Sequence, residues 1–182
     1  MDSLLTAIFA AAAALAGVAL TSYTNFQTQR RNHQFQMDAE AAKHDREKAD
    51  KQTATKNERI TQAHIALSRL AREFSMTSLD ILWRAGMKAE AYDQRYLAAC
   101  AEMDSLRAFA ELYEPGLSPE IEELHGQMNL FWGHFNNVLH RTHLGYAVDD
   151  QSSSLQSAHA AAREIGSKAL LAKWQLARLV PR

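Results

Sequence analysis

Glu122 and His125 stand in a Glu-x-x-His spacing, which puts both side chains on one face of a helix. Di-iron bundles use two such motifs and two further glutamates; here the motif occurs once. His134, His140 and His143 gather further along, and His140 and His143 are close enough in register to share a zinc ion. Asp149 and Asp150 are the nearest carboxylates in sequence, but no third ligand is marked, and polar histidines at a helix end account for the same residues. The single cysteine, Cys100, excludes an intramolecular disulfide and a cysteine-built zinc site. It lies on an apolar helical row, as a buried, inert thiol would. There is no Gly-rich phosphate loop, no Ser/His/Asp order and no nucleophile elbow. The expectation is a protein without a catalytic constellation, a metal or a cofactor.

One further pair carries a chemical suggestion. Arg59 and His64 match the loose Arg-x4-6-His spacing of the helical RNase domains called HEPN, where such a pair cleaves RNA across a dimer. Asn136-Asn137-Val-Leu-His140-Arg141 echoes it without the leading arginine. With 8 His and 20 Lys/Arg in the chain, the spacing also arises by chance. Arg59 falls where a polar helix meets an apolar one, an ordinary solvated place. Arg59 and His64 stand as candidates against that background.

The elements that position these residues follow from composition. A chain of 182 residues makes one domain of usual size. Seven glycines and three prolines, none of the latter before Pro115, are too few for the turns of a β-sheet protein. The fold class is therefore all-α.

Its first part reads as a membrane anchor. No charged residue occurs from Ser3 to Gln29, and Leu4–Leu20 is almost wholly apolar. Thr21, Ser22 and Tyr23 extend it to the ~20 residues a bilayer requires. A signal peptide would begin with a basic region; here only Asp2 precedes the run, and Arg30-Arg31 follow it. A cleaved signal peptide and a buried soluble helix remain the alternatives. All 20 Lys and Arg lie at or after Arg30, so the N-terminus is expected outside and the rest in the cytoplasm. Ala13, Gly17 and Thr21 recur every four residues, a small face on which helices approach closely in lipid, although any alanine-rich helix shows such spacing.

Residues 30–59 hold eight Lys/Arg and six Asp/Glu with little apolar surface. They read as a charged stalk helix, or else as a charged linker. From residue 60 the pattern changes. Ile60, Ala63, Leu67, Leu70, Phe74, Thr77 and Ile81 fall on a three-four repeat, the seam of a packed helix. Unbroken, one helix would run from the membrane to about Ile81, on the order of 110 Å. Thr77-Ser-Leu-Asp80 resembles a capping box and Gly86 a C-terminal stop, so a bend is expected between Ser75 and Lys88.

Three more helical faces follow: Tyr92 to Tyr113, Ile121 to Val138, and Leu155 to Leu179. Ser118-Pro119-Glu120 marks one start, Gly145 one stop, and Asp149 or Asp150 a cap for the last helix. The organisation is thus an anchor (1–29), a stalk (30–59) and an antiparallel helical bundle (60–182). Charge is sorted within the bundle. Glu90–Glu123 holds nine acids against Arg95 and Arg107, and Ala160–Arg182 five bases against Glu164. Opposite fields can join helices of one chain or of neighbouring chains; two solvated faces explain the sorting equally well. After Gln29 the bases and acids balance at 20 each, which argues against a nucleic-acid partner.

In length and layout — Leu4–Leu20, Arg30-Arg31, the long helix, the bundle — the chain resembles the single-pass membrane accessory protein of type VI-B CRISPR systems, a HEPN-like family. That resemblance implies a bacterial inner-membrane protein that assembles into a ring-shaped pore and strengthens antiphage defence. Arg59 and His64 do not lie in the terminal bundle helix where HEPN pairs are usually found. The expected partners are the lipid bilayer and further copies of the chain. A membrane tether that presents its bundle to a cytosolic protein fits the same layout.

Overall fold

A computed structural model describes residues 2–149 and 151–180, the side chains of residues 2–8, 10–13 and 16 excepted. Among the described residues there are five α-helices and one 3-10 turn, and no strand. The chain divides into two compact units, 1–54 and 55–182.

The first unit is helix throughout its described length, the N-terminal part of α1 (Asp2–Glu73). Every described side chain in it is exposed. The threonine hydroxyls turn back on their own helix, Thr21 to the Gly17 carbonyl at 2.8 Å, Thr24 to Leu20 at 3.0 Å and Thr28 to Thr24 at 2.9 Å. The span expected at Leu4–Leu20 lies mostly outside the described side chains; among the described residues no helix is long and apolar enough to cross a membrane.

In the second unit α1 acquires a buried face at Ile60, Ala63, Leu67 and Leu70, and Phe74 just past its end is buried too, as the three-four repeat predicts. The repeat fails at its end. α1 stops at Glu73, and α2 (Met76–Arg84) starts afresh with Ser75 as its cap, the Ser75 hydroxyl accepting from the Ser78 amide at 3.1 Å. The capping residue is thus Ser75 and not Thr77. The break resets the helical phase: Thr77 and Ile81 turn outward, and Leu79 and Leu82 fill the core in their place. Gly86, at φ +66°, closes α2. Its N–H donates to Trp83 and that of Met87 to Leu82, the double bond of a Schellman end.

α3 (Ala89–Tyr113), a 3-10 turn (Pro115–Leu117), α4 (Ser118–His143) and α5 (Ser153–Arg178) complete the unit. Ser118 is already helical, with Pro119 in the first turn and no side-chain cap. Gly145, at φ +79°, ends α4 in a second Schellman motif. Ser152 takes the N-cap position of α5; Asp149 lies just ahead of it, accepting from the Gln151 amide and the Ser152 hydroxyl. Asp150 lies outside the described residues.

Side-chain pairs fix the topology. Lys56–Glu114, Arg69–Glu102 and Glu73–Arg95 run α1 antiparallel to α3. Arg107–Glu122, Trp132–Asp93 and Asn136–Asp93 run α3 antiparallel to α4. Gln175–Glu120, Lys168–Glu123 and Ser154–Asn137 do the same for α4 and α5. The result is an up-down four-helix bundle in which α1 faces α4, and α3 faces α5, across the core. Phe74 meets Phe131 edge-on through the middle, with ring centroids 5.5 Å apart. On α5 the core face is largely alanine, at positions 158, 161, 162, 169 and 172; such small side chains allow the close approach of α4.

Candidate functional site

The bundle holds its polar chemistry on the flank where α3 meets α4. Asp93 sits one residue after the core Tyr92, and one carboxylate oxygen accepts from Trp132 Nε1 at 2.9 Å and from Asn136 Nδ2 at 2.6 Å. Trp132 and Asn136 are four apart on α4 and so share a face. The Tyr96 ring stacks on Trp132 at 5.0 Å, and its hydroxyl donates to Asn129. Burial, and then its contact with Cys100, push the Tyr96 hydroxyl above its ordinary range. Tyr92 is 1% exposed and its hydroxyl has no hydrogen-bond partner. Desolvation, with the neighbouring Glu73 carboxylate second, raises the Tyr92 phenol well above its usual value. These groups clamp α3 to α4; they hold no nucleophile beside a base. Cys100 is half-buried, more open than its place on the apolar row predicts.

α1 and α3 stand farther apart, bridged by long side chains. Arg95 forks onto Glu73 with two 2.9 Å bonds, which hold the guanidinium above its ordinary pKa. Between the bridges lie two open grooves. One, of about 980 Å³, is bounded by Arg69, Glu73, Thr77, Ile81, Arg95 and Glu102. The other, of about 550 Å³, lies along Arg59, Ala63, Ala66, Phe109 and Leu112.

The residues singled out in the sequence fall as follows. The Arg59 guanidinium lies over the Tyr113 ring, 4.2 Å from its centroid. His64 is exposed on α1, and five residues at ~100° each turn it roughly 140° from Arg59. The two do not meet within one chain. Glu122 is taken by Arg107 at 2.5 Å and does not join His125. His140 and His143 are exposed in the last turn of α4. Among the described residues no group of three or more His, Cys, Asp or Glu is placed to hold a metal ion. In the N-terminal unit, a Cβ built on Gly17 meets nothing within 4 Å, and Thr21 bonds its own helix; the Ala13 side chain lies outside the described residues. Tyr113, expected on the core row, is half exposed and covers Arg59 instead.

Sequence reasoning passed over Asp93. Its signal was an acid next to a core aromatic on one helix, matched by a tryptophan and an asparagine four apart on the next. Fold and flank together define an all-α bundle in which Asp93, Trp132 and Asn136 join α3 to α4. Comparison with protein-family models, with characterised proteins and with solved structures found no match for the chain.

Proposed function

We propose that this chain is a membrane-anchored homo-oligomer, a pore-like effector of the antiphage kind that its layout resembles, acting without catalysis. The observation that carries the reading is the bare N-terminal unit. Phe9, Leu15, Val18, Leu20, Tyr23 and Phe26 are all more than half exposed, Phe9 at 72%. A run of large apolar side chains left open to water requires a cover. Lipid covers it if Leu4–Leu20, extended by Thr21–Tyr23, crosses the inner membrane with its N-terminus outside and the bundle in the cytoplasm. Copies of the chain cover what lipid does not, through the small face of Ala13, Gly17 and Thr21. Below it, residues 30–59 carry charge on nearly every side, as the wall of a wet passage would.

A second reading, a tether without a pore, is favoured by the α1–α3 grooves, a surface that a cytosolic helix can enter. One experiment separates the two. The full chain is sized in mild detergent by chromatography with light scattering, beside a leakage assay on expressing cells. An oligomer that weakens on Gly17→Leu, with leakage, supports the effector. Leucine is favourable in lipid, so insertion itself should survive that change. A monomer in every detergent without leakage removes the effector and leaves the tether. A reporter fused after Arg182 and active only in the periplasm would overturn the orientation.

A further inference from the structure

α3 and α5 sit on opposite sides of the bundle, and their outward faces are complementary. α3 has two bases, and both are turned aside: Arg95 onto Glu73 of α1 and Arg107 onto Glu122 of α4. The stripe that remains, opposite the core residues Tyr92, Ala99, Met103 and Ala110, carries Glu90, Leu97, Asp104, Ala108, Glu111 and Leu112. Leu97 is 59% exposed and Leu112 71%. Asp104 also lies 3.9 Å from Arg107, yet no base stands in the stripe itself. On α5, Lys168 is turned to Glu123 and Lys173 toward Ser68. The outward stripe there carries Arg163, Leu170, Leu171, Trp174 and Arg178, with Glu164 at its edge. Trp174 is 64% exposed. One face is apolar with acids, the other apolar with bases.

The two faces also match in height. Arg107 of α3 and Lys168 of α5 pair with adjacent residues of α4, Glu122 and Glu123, and so mark one level in the bundle. α3 and α5 run in the same direction, both antiparallel to α4. Counted from that level, Trp174 lies six residues along α5 and Leu112 five along α3. Leu170 lies two along and Ala108 one. Arg163 lies five residues back and Asp104 three back. The mismatch is at most about two residues, ~3 Å at the helical rise.

We infer that the α5 face of one copy docks on the α3 face of the next, Trp174 covering Leu112, Leu170 meeting Ala108, and Arg163 reaching Asp104. The contact is head-to-tail, since the two patches differ and lie on opposite sides. Because the patches share one height, successive copies do not climb, and the rotation from one copy to the next decides whether the row closes into a ring. Hydrophobic cover supplies the attraction, and the opposed charges select the partner face and exclude like-to-like pairing. This inference rests on the homo-oligomer reading and names its cytoplasmic interface.

The test is disulfide trapping in the full chain, with Cys100→Ala removing the one native thiol. Trp174→Cys and Leu112→Cys are made singly and together, and oxidised in detergent at a size confirmed by light scattering. In a head-to-tail contact neither single variant cross-links to itself. A mixture of the two gives a dimer, and the double variant a ladder of dimer, trimer and higher bands, because Cα atoms of a disulfide must lie within about 7 Å. Leu170→Cys with Ala108→Cys repeats the test one turn away. Arg163→Glu should reduce the oligomer at least several-fold, and Asp104→Lys added to it should restore the size. An oligomer of native size with no ladder from either cysteine pair overturns this interface while leaving assembly through the N-terminal unit intact. Dimers from Trp174→Cys alone overturn the head-to-tail arrangement. A native monomer overturns both the interface and the oligomer reading.

Discussion

Phe74→Ala and Ile81→Ala probe two residues of one sequence repeat that the structure sends to opposite fates. Phe74 is 1% exposed and packs edge-on against Tyr96 and Phe131, at 6.3 and 5.5 Å. It joins α1 to both α3 and α4 at the point where α1 ends. Truncating a buried phenylalanine costs roughly 3–5 kcal/mol. The unit 55–182 has an unfolding entropy of about 0.27 kcal/mol/K, at ~2.1 cal/mol/K for each residue, so the melting temperature should fall by about 11–18 °C. Ile81 is 61% exposed, and its truncation should stay within about 0.5 kcal/mol, or ~2 °C. The assay is thermal unfolding followed by tryptophan fluorescence. All three tryptophans, Trp83, Trp132 and Trp174, lie in the bundle, so the N-terminal unit is silent. Equal shifts for the two variants, or a shift under about 4 °C for Phe74→Ala, would refute the placement of the helix break at Ser75.

Tyr92→Phe removes a buried hydroxyl that bonds nothing, and should leave stability at neutral pH unchanged or slightly higher. Because folding raises the Tyr92 pKa, the native protein holds its proton above pH ~10 where the unfolded chain loses it, so stability should fall as pH rises past 10, by up to ~1.4 kcal/mol per unit for this group. Denaturant titrations from pH 9 to 11.5 should show a shallower fall in Tyr92→Phe, and identical slopes would discard the idea. Asp93→Ala strips the acceptor from Trp132 and Asn136 and should cost about 1–3 kcal/mol, measured by urea unfolding; a neutral result would mean that the α3–α4 flank is not held by this carboxylate. Gly86→Ala should cost about 1–2 kcal/mol from its positive φ alone, since a Cβ there meets nothing within 4 Å, and a stabilised variant in the same assay would contradict that backbone conformation.

The helical faces were legible because burial imposes a period on sequence. Leu67, Leu70 and Phe74 lie in the core as their spacing predicts, and so do Ile121, Leu124, Met128, Phe131, Phe135 and Val138. The period misleads where a helix breaks: nothing in the spacing distinguishes Phe74 from Ile81, and only the cap at Ser75 does. Ala161 and Ala172 are core residues that spacing alone does not mark, because alanine suits a core and a surface alike. Asp93, Trp132 and Asn136 were illegible for a different reason. Their bonds cross between helices, and the register of α3 against α4 is set by the whole core rather than by spacing within either.

The bundle is unequally tight. Five alanines bring α5 close to α4, whereas α1 meets α3 across open grooves and partly exposed ion pairs. Hydrogen exchange should therefore separate the two halves. Amides of α4 and α5 should exchange only through global unfolding, while those of residues 60–73 should exchange through a smaller opening in which α1 lifts from α3. α1 is thus the helix that the bundle releases first.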